Sequence, residues 1–153
     1  MVWFYLKNTG AVLRGGYFRF KSSYLEKFPV PGTDRLNVLN KTSKHLNCII
    51  EYDLSQNTSP HSTYEKINDS LVFQLYFPDH MKEKGIDILK FVELDFKETL
   101  GEDDFEQLPD EQKENVIEEL HKRWSNPDSE IVKRMNSFAE KSPDILKPIL
   151  ESK

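Results

Sequence analysis

Apolar side chains recur every three or four positions from residue 33 to the end of the chain, and proline or glycine interrupts the pattern at intervals. This spacing places the apolar side chains on one face of an α-helix, so each sustained stretch predicts an amphipathic helix. The predicted helices cover residues 33–54, 63–76, 88–100 and 109–124, and two more begin at Asn126-Pro127 and Ser142-Pro143. Residues 32–153 are therefore predicted to form a bundle of five or six helices.

The breaks between these helices follow from local sequence. The polar stretch Ser55–Ser62 is predicted to be a loop, and Asp79 is expected to cap a short turn that Gly85 interrupts. Gly101 lies just past the third helix, where glycine commonly ends one. The last two helices each begin with a capping side chain before a proline, an arrangement typical of a first helical turn.

The first 31 residues have a different composition, because eight of the 18 aromatic residues lie there. Aromatic enrichment is typical of β-strands, which we predict near Val2–Lys7, Ala11–Arg14 and Tyr17–Lys21. Alternation would place Phe18 and Phe20 on one face of the last strand. The sequence thus predicts an α+β fold: a short N-terminal β segment over residues 1–31, followed by the mainly α-helical bundle.

Charge divides along the chain in a similar way. Residues 1–50 hold eight basic and two acidic side chains, a net charge of +6, whereas the remaining residues hold 13 basic and 24 acidic ones, a net charge of −11. A basic segment on an acidic protein indicates contact with a polyanion. The candidate DNA-binding residues are Arg14, Tyr17, Arg19, Lys21 and Lys27. An ordinary solvated strand face explains the same spacing and stays open as an alternative.

Signals for catalysis or cofactor binding are nearly absent. The chain has no glycine-rich phosphate loop and no pair of histidines at metal-binding spacing, so no catalytic, cofactor-binding or metal-ligating residue is predicted. Cys48 is the only cysteine, which excludes an internal disulfide and fits a reducing compartment. The longest apolar run, Met1–Leu6, has six residues, too few to span a membrane. We therefore expect a cytoplasmic protein.

Two segments resemble a known family. Gly16–Pro31 combines an aromatic and basic strand, the pair Tyr24-Leu25 and a Pro-x-Pro exit. It resembles the segment that closes the target-recognition domain of DNA methyltransferases and restriction–modification specificity proteins. Ile67–Tyr76 resembles the helix that follows in type II (type IIG) restriction enzymes with an adenine-N6 DNA methyltransferase core. Together the two matches cover about 26 residues, in the order found in the family.

This resemblance implies that the chain is the C-terminal part of a larger bacterial enzyme that methylates adenine and cuts DNA. Its partners would be double-stranded DNA and the upstream methyltransferase and nuclease domains of the same polypeptide. S-adenosylmethionine and Mg²⁺ would bind upstream, because this chain has no Asn-Pro-Pro-Tyr motif and no nuclease motif. The rest of the sheet would also lie upstream, so the isolated chain is expected either to dimerise through the open strand edge of residues 1–28 or to be poorly ordered there.

Two departures from the family stand out. The chain reads Phe77-Pro78 where the family tends to continue with glycine and an apolar residue, and residues 80–153 match no part of the family. A different class of function therefore stays open. In that alternative, the chain is a helical protein-interaction module with no direct DNA contact, and its acidic amphipathic helices dock on another domain or subunit.

Overall fold

The computed structural model describes residues 11–12, 18–19, 26–56 and 61–151. Helices account for 74% of these residues. The eight α-helices of the described chain are α1 Thr33–Gln56, α2 His61–Tyr76, α3 Pro78–Glu83, α4 Leu89–Leu100, α5 Asp110–Ser125, α6 Glu130–Asn136, α7 Phe138–Lys141 and α8 Leu146–Leu150. A 3-10 turn, Phe105–Gln107, lies between α4 and α5.

The predicted α+β fold class is wrong. In the described part of the first 31 residues, strand structure is limited to β1, Ala11–Val12, and β2, Phe18–Arg19, which pair antiparallel. Two strands of two residues each cannot bury an apolar face, so they do not form a second structural layer. Aromatic residues favour β-strands, but such strands form a stable sheet only where further strands pair with them. The predicted strand at Val2–Lys7 lies outside the described residues.

Three of the predicted helices are confirmed closely. Helices α2, α4 and α5 lie where the apolar stripes place them, and their stripe residues are buried, apart from Leu75 and Leu89, which are partly buried. Helix α4 ends at Leu100, and Gly101 follows with a φ of 63°, a backbone conformation that glycine adopts without steric cost. The backbone N–H of Gly101 donates to the carbonyl of Lys97, which completes the last turn.

The predicted starts of the last two helices are wrong. Asn126 accepts a hydrogen bond from the backbone N–H of Asp128, 2.9 Å away, which forms a turn, and Ser129 then caps α6. Ser142 accepts a hydrogen bond from the N–H of Leu146 at 3.1 Å, so α8 also begins later. A proline after a polar residue suits a turn as well as a helix start. With α7 between them, the helices exceed the predicted five or six.

Two further boundaries differ from the prediction. Helix α1 extends through Ser55 to Gln56 and α2 begins at His61, so both ends of the predicted loop over Ser55–Ser62 are helical. Asp79 lies in the first turn of α3 and does not cap it, because Phe77 holds the cap position. The turn after α3 does contain Gly85, with a φ of 63°.

The core forms where α1, α2, α4 and α5 pack together. Its centre is an aromatic group in which Trp124 of α5 makes edge contacts with Tyr64 of α2 and Phe96 of α4, at centroid distances of 5.7 and 5.6 Å. The hydroxyl of Tyr64 donates to the carbonyl of Ile117, 2.7 Å away. The side chain of Gln74 accepts hydrogen bonds from the first amides of α4. These contacts fix α4 relative to α2 and α5.

Among the helices that the structure describes, none has both the length and the apolar character required to cross a bilayer.

Candidate functional site

The predicted DNA-binding residues fall mostly outside the described chain. Arg14, Tyr17 and Lys21 lie outside it. Arg19 lies in β2 opposite Ala11, and Lys27 is exposed in the turn before α1. The predicted site stays a prediction, and the described part of the protein contains a different group of polar residues.

This second group joins α1 to the segment between α4 and α5. The ammonium group of Lys44 lies 2.6 Å from Asp104 Oδ2 and 3.4 Å from Glu106 Oε2. Asp104 also caps the 3-10 turn by accepting a hydrogen bond from the N–H of Glu106 at 3.3 Å. The hydrogen bond from Lys44 lowers the pKa of Asp104, and the same bond raises the pKa of Lys44. The pair fixes the acidic segment against α1.

His45 follows Lys44 and faces the interior. It is 5% exposed, and its ring packs against Phe96 at a centroid distance of 5.6 Å. Its Nδ1 is buried, makes no hydrogen bond within the described chain, and lies 3.9 Å from Asp104 Oδ1. Burial lowers the pKa of His45, Lys41 and Lys44 lower it further, and Asp104 opposes the shift. The ring is therefore a neutral imidazole at neutral pH.

A cavity of about 300 Å³ opens beside His45, between α1 and α4. Its walls come from α1, from one face of α4 and from the segment after Gly101. The residues around it are Lys41, Thr42, His45, Glu93, Phe96, Lys97, Leu100, Gly101, Glu102 and Asp103. Positively charged, negatively charged and apolar side chains therefore line the same cavity.

This cavity is not among the sites predicted from the sequence, although α1 carries a signal for it. Thr42, His45 and Asp53 are buried and share helical spacing with the core residues Leu46 and Ile49. Polar side chains within an apolar stripe are uncommon, because burying a polar group without a partner costs free energy. Such residues therefore mark a place where the core contains a polar site.

The buried imidazole predicts a pH dependence of stability. Because its pKa in the folded state lies below the ordinary 6.5, the unfolded chain takes up this proton first as the pH falls. The contribution of His45 is thus complete above pH 6.5 and is lost as the pH falls from there to the lowered pKa. Urea unfolding at about pH 7.5 and about pH 5.5 should show a larger loss for the native chain than for His45→Gln. Equal losses in the two proteins would contradict this account.

Two other polar clusters have structural roles. Arg123 contacts the carboxylates of Asp95, Glu98 and Glu119 and so joins α5 to α4. The hydroxyl of Ser142 lies 2.8 Å from His80 Nε2, but Ser142 is 1% exposed, so a substrate has no access to it. Within residues 26–56 and 61–151, no group of three or more histidine, cysteine, aspartate or glutamate side chains could hold a metal ion.

The thiol of Cys48 lies on α1, partly buried. Burial is the main reason that its pKa is raised, and nearby Glu106 adds to the shift. A thiol with a raised pKa has little thiolate at neutral pH, so Cys48 has the character of a structural residue.

The chain matches no protein-family model, no curated protein and no solved structure. Its function is therefore argued from its own residues.

Proposed function

We propose that this chain is the C-terminal DNA-gripping region of a type II restriction enzyme with an adenine-N6 DNA methyltransferase core. In this proposal, residues 1–31 contact the phosphates of double-stranded DNA, and Arg14, Tyr17, Arg19, Lys21 and Lys27 form the contact surface. Methylation and cleavage, with S-adenosylmethionine and Mg²⁺, belong to upstream domains of the same polypeptide, and the enzyme is cytoplasmic. The observation that carries the proposal is the division of charge along the chain. Residues 1–50 have a net charge of +6, whereas the remaining residues have a net charge of −11.

The acidic surface of the helical part supports this assignment, because it excludes DNA from one region of the chain. Residues 102–119 contain nine acidic side chains and one lysine, and eight of the nine acids are exposed. DNA carries a high density of negative charge and would be repelled by this surface. A DNA contact on this chain must therefore lie away from the 3-10 turn and α5, and residues 1–50 hold the excess of positive charge.

The second matching segment adds support. Ile67–Tyr76 lies entirely within α2, as the resemblance to the family's helix requires. The departure at Phe77-Pro78 coincides with the end of α2, and α3 begins at Pro78. The difference in sequence therefore falls at a helix boundary and leaves the matching helix intact.

The proposal predicts that Arg19→Ala and Lys21→Ala each weaken binding to a labelled DNA duplex by about fivefold, the effect of losing about 1 kcal/mol per charged contact. Fluorescence anisotropy at low salt measures this. Lys141→Ala is the matched control, because Lys141 is exposed at the end of α7 and makes no ion pair among the described residues. If Lys141→Ala weakens binding as much as the other two, the N-terminal assignment is wrong.

A second candidate function is a helical protein-interaction module. The exposed carboxylates of Glu111, Glu114 and Glu118 lie on one face of α5 and make no ion pair within the described chain. Such a face suits a basic domain or subunit. If this function is the correct one, the native chain should not bind the labelled DNA duplex at low salt. Arg19→Ala and Lys21→Ala should then have no effect on DNA binding.

A further inference from the structure

The floor of the cavity between α1 and α4 is apolar. Phe96 and Leu100 line it, and the ring of His45 packs against Phe96. At about 30 Å³ per water molecule, its volume of about 300 Å³ holds about ten waters or one small organic molecule. A ligand with a short apolar body could therefore cover the floor.

The cationic side of the cavity is formed by two helices. Lys41 of α1 and Lys97 of α4 are exposed, line the cavity, and make no ion pair among residues 26–56 and 61–151. Lys44, in contrast, is occupied by Asp104 and Glu106. Two ammonium groups without a carboxylate partner can bind a carboxylate on a ligand.

The anionic side lies at the end of α4. Glu102 and Asp103 follow Gly101, line the cavity, and make no ion pair within the described residues. Glu93 lines the cavity from α4 itself, one turn before Lys97. The C-terminal end of a helix carries a partial negative charge from its last carbonyl groups. This side can therefore bind an ammonium group.

Buried polar groups complete the wall. Thr42 is 4% exposed and His45 is 5% exposed, and both line the cavity. The Nδ1 of His45 is enclosed on the side of Asp104, which does not line the cavity. The neutral imidazole therefore adds no third positive charge to the wall.

We propose that this cavity binds a small zwitterion, an α-amino acid with an apolar side chain. The carboxylate contacts Lys41 and Lys97, the ammonium group contacts Glu102 and Asp103, and the apolar side chain covers Phe96 and Leu100. This site shares no residue with the proposed DNA contact. Failure of one proposal therefore leaves the other in place.

The test uses L-phenylalanine as the probe, with phenethylamine and 3-phenylpropionate as analogues that each lack one of the two charges. Two-dimensional NMR of the full chain should show saturable shifts at Lys41–His45 and Glu93–Asp103 with a dissociation constant of about 1 mM. Each analogue should bind at least about fivefold more weakly. Absence of shifts at about 10 mM L-phenylalanine, or equal binding of either analogue, overturns the proposal.

Substitution of an exposed lysine in the cavity wall tests whether L-phenylalanine binds in this cavity. Lys97→Met should weaken L-phenylalanine binding by about fivefold, because it removes one charged contact and leaves the core intact. Lys141→Met is the matched control, since Lys141 is exposed and lies outside the cavity wall. Equal affinity of the Lys97→Met variant and the native chain would also overturn the assignment.

Discussion

Replacing Trp124 by alanine should lower the free energy of unfolding by about 3–5 kcal/mol. Trp124 is 2% exposed and contacts the rings of Tyr64 and Phe96. Its indole N–H donates to Asp95 Oδ2 at 2.8 Å. The variant therefore loses the packing of three helices and leaves a buried cavity. Urea unfolding followed by circular dichroism measures the loss.

The control for this experiment is Leu94→Ala. Leu94 lies on α4 next to Asp95, but it is 52% exposed, so its truncation should change stability by no more than about 0.5 kcal/mol. A similar small effect of Trp124→Ala would mean that α4 and α5 do not pack as described. A large effect of Leu94→Ala would mean that the outer face of α4 is buried.

Raising the salt concentration from about 50 to about 200 mM should weaken DNA binding by about 60-fold. This expectation follows if the five candidate residues neutralise three or four phosphates, because each contact contributes about −0.9 to the slope of log K against log salt. The slope should then be about −3. Anisotropy titrations at four or more salt concentrations give it directly.

DNA binding whose affinity does not change with salt concentration would contradict the proposed phosphate contacts. Phosphate contacts release counterions, whereas an apolar or purely hydrogen-bonded interface does not. The same titration with Arg19→Ala should give a slope closer to zero by about one unit. An unchanged slope would mean that Arg19 makes no phosphate contact, which contradicts the proposed contact surface.

Helical periodicity was the most reliable signal in this chain. The stripes that contain Ile67, Leu71, Val92, Phe96 and Trp124 are buried as their spacing predicts. Burial of one face imposes the period of 3.6 residues on the sequence, and this requirement does not depend on which helices pack together. Gly101 was predictable for a related reason, because the position after a helix favours a residue that adopts positive φ.

Helix starts were less predictable, because the same residues suit two structures. Asn126-Pro127 and Ser142-Pro143 form turns, and α6 and α8 begin at Glu130 and Leu146. A short polar side chain can accept a hydrogen bond two residues ahead in a turn or from the first turn of a helix. Tertiary packing decides between them, and the local sequence contains no record of that packing.

The α+β prediction was wrong for a different reason. A β-strand is stable only with partners, and β1 and β2 are two residues each. The cavity at His45 was predictable in part, since Thr42 and His45 interrupt an apolar stripe on α1. Its acidic side was not, because nothing in the local sequence brings Glu102 and Asp103 to the same cavity as Thr42 and His45. Self-association of the isolated chain remains a prediction.

The central claim is that DNA binds to the N-terminal segment and leaves the acidic helices free. Amide hydrogen exchange of the full chain, followed by mass spectrometry with and without a DNA duplex, tests it most directly. The account predicts that DNA slows exchange in peptides covering residues 1–31 and leaves residues 102–119 unchanged. Slowed exchange over residues 102–119, with residues 1–31 unchanged, would contradict it.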